Sequence, residues 1–536
     1  MLPPSRALFG LLLLGLATAA CASDAPAKWG DWPKWGAQAD GTYLNPVVPG
    51  DYSDLDCTRV GPDYYAISST FQFSPGVVIL HSRDLVSWTI LGHVVTDLNQ
   101  IGPDLDWTRM NRYGKGVWAG AIRFHAGKFW VFFGTPDEGY FMSTAANPAG
   151  PWEPLHAVLK GGGWDDCCPF WDDDGQGYLV GSNFRDGYKI HLWKLTADGR
   201  DLMADSDQVI HQSRGSEANK LYKFNGLYYH LFSENKSEGR TVIMERSKNI
   251  FGPYTESRQL SHADRAANEP NQGGLVQTEA GGWYFFTHHG TGAWEGRCAS
   301  LLPVTWMDGW PIIGQVGPDG IGRMVWSGPL PLPGAPVAVP QSDDEFAATA
   351  LPPQWEWNYQ PRADHWSLTE RPGFLRLHAF KPLRTDDVMS AGNTLTQRTM
   401  RTKENVATVA LDLTGMADGQ VAGLCHFAKD NGTLGVRQTG SALALEFTHG
   451  KKVVPGPAVT SKKIWLRSTW GLDGRSEFAY STDGTTFVPF GEPYQLAWGS
   501  YRGDRIGLYS YNDKGDAGWV DADWFHYAYA SPATAK

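Results

Sequence analysis

The sequence predicts an all-β chain: a five-bladed β-propeller followed by a jelly-roll β-sandwich. Three observations carry this. From about Gly41 to Trp326 an aromatic strand core behind a Gly-containing turn recurs five times, at Tyr64-Tyr65, Phe129-Trp130, Gly177-Tyr178, Tyr228-Tyr229 and Trp283-Tyr284. The spacing, roughly 50 residues, is that of a four-stranded antiparallel unit, and a two-sheet sandwich would not repeat at this period. Past a cluster of prolines (Pro329, Pro331, Pro333, Pro336 and Pro340), short alternating segments continue without the repeat, including a hairpin over 478–487 with an Asp483-Gly484 turn.

Taken in order, the chain begins with Arg6 and an apolar run from Ala7 to Ala20 that ends in small residues. This reads as a secretory signal over residues 1–22, too short to span a membrane. Cys21 is a candidate for lipidation, although Thr18 stands where a lipobox usually carries Leu. The expectation is an exported protein, whether periplasmic, secreted or lipid-anchored at the cell envelope. The propeller is expected over 41–327, an extended Pro-rich linker over 328–341 and the sandwich over 342–531. Beyond Cys21 the five cysteines (Cys57, Cys167, Cys168, Cys298 and Cys425) have no zinc-site spacing and read as mostly buried thiols with at most two disulfides.

Composition narrows the function. A net charge of -11 leaves no basic footprint for nucleic acid or an anionic membrane surface. The 24 Trp, 21 Tyr and 24 Phe must fill cores for the most part, yet sugar-stacking sites draw on the same rings.

Propeller geometry predicts a ring. Residues at one offset in each repeat encircle the axis, and counting back eleven or twelve residues from the second anchor yields Asp54, Trp118, Asp166, Glu217 and Gln272. Three are carboxylic acids, which raise one another's pKa at a channel mouth. Two such acids suit glycoside cleavage: one protonates the departing oxygen while the other activates the attacking water. Asp54 is the candidate base, Glu217 the acid, and Asp166 the group that orients Glu217 and keeps it protonated. Asp165 competes with Asp166, because a one-residue register slip exchanges their faces. Asp172, Asp173 and Asp174 read as turn formers, and His288-His289 is not a metal pair, since adjacent strand residues face opposite ways. No HExxH or GxSxG motif occurs.

The segments 51–65 (DYSDLDCTRVGPDYY), 164–180 (WDDCCPFWDDDGQGYLV), 217–223 (EANKLYK) and 271–276 (NQGGLV) together resemble glycoside hydrolase family 43, the inverting β-xylosidases and α-L-arabinofuranosidases. By that resemblance Asp54 matches the base, Asp166 the pKa-modulating aspartate and Glu217 the acid. Arg297 matches an arginine that contacts sugar, and Phe71 and Trp118 match hydrophobic walls of its pocket. The C-terminal part is similar to the concanavalin-like sandwich of many family β-xylosidases, where it helps shape the pocket. The chain departs from the family at Leu55, Cys167, the Trp118-Ala119-Gly120 run and Asn271. At Asn271 many members carry a histidine near a calcium, and an asparagine could still supply an oxygen ligand. The expected function is removal of terminal β-D-xylosyl units from plant cell-wall oligosaccharides without a cofactor. α-L-Arabinofuranosidase activity and a non-catalytic glycan-binding propeller are the alternatives.

Overall fold

A computed structural model describes residues 30–264, 270, 272–290, 293–384 and 388–532. The signal-peptide reading, Cys21 and Asn271 lie outside the described residues.

The five repeats are five consecutive antiparallel sheets, each built on a four-stranded meander. The first holds Asp56–Val60, Asp63–Ser68, Gly76–Ser82 and Trp88–Val95; the second Gly120–His125, Lys128–Thr135, Gly139–Ala145 and His156–Lys160. The third holds Trp164–Trp171, Gly177–Asn183, Lys189–Lys194 and Gln208–Gln212; the fourth Glu217–Phe224, Leu227–Lys236, Gly239–Ser247 and Glu256–Gln259. The fifth holds Gly273–Gln277, Trp283–His289, Cys298–Met307 and Trp310–Ile313. Val48–Asp51, from before the first sheet, pairs with Cys298–Met307, so the beginning of the repeat region is bonded to its end.

The local reasons are visible in the second sheet. Its strand Lys128–Thr135 (KFWVFFGT) is apolar on both faces because both are covered. Phe132 packs into one core while Val131 and Phe133 pack into another. The turns leading to the anchors need left-handed backbone, and Gly61, Gly127, Gly175, Gly226 and Gly281 supply it at φ 60° to 87°. First strands of successive sheets pack together from the first to the fourth, as do those of the fifth and first. The Leu275 amide donates to the Tyr222 hydroxyl at 2.9 Å to join the fourth and fifth.

The C-terminal part is two antiparallel sheets with a shared core that includes Leu411, Leu466 and Phe525 from one and Leu424, Leu434 and Leu508 from the other. One of these sheets borrows Phe73–Ser74 from the repeat region as an edge strand against Glu356–Asn358. The segment read as a linker is not free: Ser327–Pro329 pairs with Thr42–Leu44, and the Gln341 amide bonds both backbone groups of Ile90 at 2.8 Å. A buried ion cluster also crosses the seam. Glu356 meets Arg398 at 2.6 Å, Arg505 at 2.7 Å and His93 at 3.0 Å, and the Arg398 guanidinium donates to the Asp51 carbonyl at 2.7 Å. All five described cysteines are free and buried.

Candidate active site

Asp54, Phe71, Trp118, Asp166, Glu217 and Arg297 line one cavity of about 490 Å³. Two β-bulges deliver the acids. In the third sheet Asp165 pairs with Ser182 and Cys168 with Val180, so Asp166 and Cys167 bulge. In the fourth, Glu217 pairs with Ser233 and Lys220 with Leu231, so Ala218 and Asn219 bulge. Asp54, Asp166 and Ala218 all lie in the left-handed region, at φ 56°, 52° and 66°. Each such non-glycine residue costs about 1–3 kcal/mol, and that strain collects where side chains are re-aimed.

The observed register corrects the ring. The anchors pair with Thr58, Arg123, Phe170, Tyr222 and Val276. Four residues before these stand Asp54, Ala119, Asp166, Ala218 and Gln272; five before stand Ser53, Trp118, Asp165, Glu217 and Asn271. Asp165, not Asp166, is therefore level with Glu217, and the expected ring mixes two adjacent rows. Two causes mix them: the third and fifth turns carry five residues and the others two, and the offset to Asp54 is eleven where the others are twelve. Because the bulge breaks strict alternation, Asp165 and Asp166 both reach the cavity.

The carboxyls are pushed apart electrostatically. Burial works against charge on Asp54, but the Arg297 guanidinium beside it prevails and holds it below the usual carboxylate range. Arg297 donates to its two oxygens at 2.7 and 3.1 Å, and the Ser69 hydroxyl donates at 2.7 Å. The Asp54 amide donates to His288 Nδ1 at 2.7 Å, so that ring nitrogen carries no proton. Glu217 moves the other way. Burial, offset in part by Arg240 at 3.0 Å and reinforced by Asp166 and Asp54, raises it to about 7. Asp166 is raised by burial against the pull of Lys220, and Gln272 donates to its carboxyl. Burial, with Asp166 and Glu217 close by, drives Asp165 well above its usual range. One depressed and one raised carboxyl in a single cavity is the electrostatic arrangement that a base and acid pair requires.

Trp118 stands at the wall, its ring centroid 6.0 Å from Phe184 and 5.6 Å from Tyr501. Phe71 lies under the Arg297 guanidinium, 5.9 Å from ring centre to Cζ. Sequence reasoning missed Arg240, His288, Trp498 and Tyr501, all of which line the cavity. The last two come from the C-terminal part. The Tyr501 carbonyl accepts from Arg297 Nε at 3.1 Å and Nη2 at 2.9 Å, so the second domain holds the arginine that holds Asp54. Ser500 and Tyr501 are left-handed at φ 65° and 62°, and buried Arg502 anchors them through the Tyr113 hydroxyl at 2.8 Å. His288 and His289 do diverge: the first faces Asp54, while the second bonds Ser300. Among the described residues no group of three or more His, Cys, Asp or Glu side chains could hold a metal ion.

Comparison with known proteins agrees with this chemistry. The family model for glycosyl hydrolases family 43 matches residues 43–311, and that for the β-xylosidase C-terminal concanavalin A-like domain matches 343–528. A β-xylosidase of Formosa agariphila is 34% identical over 94% of this chain and 93% of its own. A non-reducing end α-L-arabinofuranosidase of Bacteroides ovatus is 31% identical over 63% of this chain and 65% of its own. Among solved structures, the GH43 protein BlXynB of Bacillus licheniformis superposes with a TM-score of 0.77 at 25% identity, covering 91% of this chain and 100% of that one. A bifunctional GH43-CE chain of Bacteroides eggerthii superposes at 0.81 with 29% identity, covering 93% of this chain; this chain spans 64% of that longer one. With a family model running from before the first sheet into the last strand of the fifth, over both Asp54 and Glu217, and a relative aligned along nearly the whole length, the chain belongs to glycosyl hydrolases family 43.

Proposed function

We propose that the chain is an inverting exo-glycosidase that removes terminal β-D-xylosyl units from xylo-oligosaccharides or related plant cell-wall glycans. The observation that carries it is the opposed tuning of two carboxyls in one cavity, Asp54 held low and Glu217 raised to about 7. Asp54 takes a proton from water as the water oxygen bonds to the anomeric carbon; the glycosidic bond breaks on the other face, and Glu217 gives its proton to the leaving oxygen. Asp166 keeps Glu217 protonated, Arg297 keeps Asp54 charged, and Phe71 and Trp118 wall the sugar. Water is the nucleophile, so no cofactor enters. The five sheets read as blades of a propeller with the cavity over its axis and the C-terminal part as a jelly roll. Export follows from the apolar run Ala7 to Ala20.

Xylose is favoured by the Formosa agariphila relative and by the description of the C-terminal domain. α-L-Arabinofuranose is the second reading, favoured by the Bacteroides ovatus relative and by a Butyrivibrio fibrisolvens relative named xylosidase/arabinosidase. Hydrolysis of aryl β-D-xyloside and aryl α-L-arabinofuranoside in parallel tests the sugar: faster turnover of the xyloside is expected, and turnover of the arabinofuranoside alone would replace the first reading with the second. Glu217→Gln should lower kcat by about 10²- to 10⁴-fold. Undiminished hydrolysis would remove Glu217 as the acid.

A further inference from the structure

We propose that Asn219, His230 and Glu245 are positioning residues that hold the Asp166 and Glu217 segments at a fixed separation across the seam between the third and fourth sheets. The proposal rests on the roles given above to Asp166 and Glu217.

Asn219 sits in the bulge two residues after Glu217 and is fully buried. Its Nδ2 donates to the Asp166 carbonyl at 3.0 Å, tying one bulge directly to the other. Its Oδ1 then faces His230 Nε2 at 3.0 Å. His230 Nδ1 meets Glu245 Oε1 at 2.9 Å, and Glu245 Oε2 meets His211 Nδ1 at 3.1 Å. His211 belongs to the last strand of the third sheet, so the chain of bonds starts on that sheet's first strand, crosses the fourth sheet and returns. His230 is fully buried and Glu245 nearly so.

The proton inventory explains the residue types. An amide nitrogen is needed at the Asp166 carbonyl, so the amide oxygen must face His230, and His230 Nε2 must carry a proton. His230 Nδ1 faces a carboxyl, so a second proton lies between that ring and Glu245. The pair holds two protons and no net charge, the form a buried site tolerates best. Asn219 serves one donor role and one acceptor role at once. Aspartate has its shape but cannot donate to the carbonyl, and alanine can do neither.

The test uses the full chain, with kcat and KM measured separately on both aryl glycosides across pH and with thermal melting as a check of folding. Asn219→Asp and Asn219→Ala should lower kcat by about tenfold or more while KM stays within about twofold, since a displaced catalytic group costs rate in the chemical step. In Asn219→Ala the alkaline limb of the pH profile should move to lower pH, because Asp166 no longer stands fixed beside Glu217. Glu245→Gln, which keeps the side chain's shape, should shift the same limb the same way by less. A folded Asn219→Ala enzyme with kcat within twofold of the parent and an unmoved limb would overturn the proposal and leave the chain a structural stitch. If neither Asn219 variant folds, the limb in Glu245→Gln decides in the same sense. The acid assignment is read separately, from Glu217→Gln in the parent background.

Discussion

Replacing Arg297 by methionine should move the acid limb of the pH profile upward without abolishing the fold. The guanidinium makes charge-assisted bonds of 2.7 and 3.1 Å to Asp54, and the two side chains are only 19% and 11% exposed, so solvent screens the pair little. A hydrogen bond to a charged group contributes about 1.5–3 kcal/mol. At about 1.4 kcal/mol per pKa unit, losing it raises the Asp54 carboxyl by about one to two units. Asp54 must be ionised to accept a proton from water, and its folded pKa is depressed. Activity therefore persists down to low pH in the parent and is lost earlier, as pH falls, in Arg297→Met. The Ser69 bond survives the change and keeps the shift from being larger. The assay is kcat/KM against pH on the preferred aryl glycoside, with thermal melting as a check of folding. If Arg297→Met raises KM but leaves the acid limb in place, Arg297 only contacts the sugar and the argument for Asp54 as a charged base loses its main support.

On the alkaline side, Glu217 must be protonated, and its pKa is raised to about 7. The parent profile should hold below that value and fall as pH rises through it; a limb near the ordinary glutamate value would contradict the assignment. Tyr501→Gly should keep the backbone carbonyl that holds Arg297 and relieve the left-handed φ of 62°, while removing the ring 5.6 Å from Trp118. Removing a ring from the cavity wall should raise KM with kcat nearly constant. A fall in kcat instead would mean that the ring, and not the carbonyl alone, keeps Arg297 on Asp54.

Much of this site was legible in the sequence because a repeat turns position into geometry. The period near 50 residues located five sheets, and an offset from each aromatic anchor led to Asp54, Asp166 and Glu217. What it blurred was the row. Turn length and the two bulges are backbone features, and they placed Asp165 level with Glu217 while letting Asp166 share the cavity. Arg240 carries no local motif; it reaches Glu217 only because its strand lies two over in the same meander. Tyr501 is less accessible still, since it meets Arg297 across 204 residues of chain and contributes through its carbonyl, which every residue type has. The prolines at 329–340 read as an extended connection, whereas the pairing of Ser327–Pro329 with Thr42–Leu44 depends on where the chain began.

In the proposed mechanism water, activated by Asp54, displaces a leaving group protonated by Glu217. Proton NMR of the sugar first released by the parent enzyme tests it most directly. The anomer opposite to that of the substrate is expected, appearing before mutarotation mixes the two. Release of the same anomer as the substrate would mean two displacements through an enzyme-bound intermediate, and would contradict the roles assigned to both carboxyls.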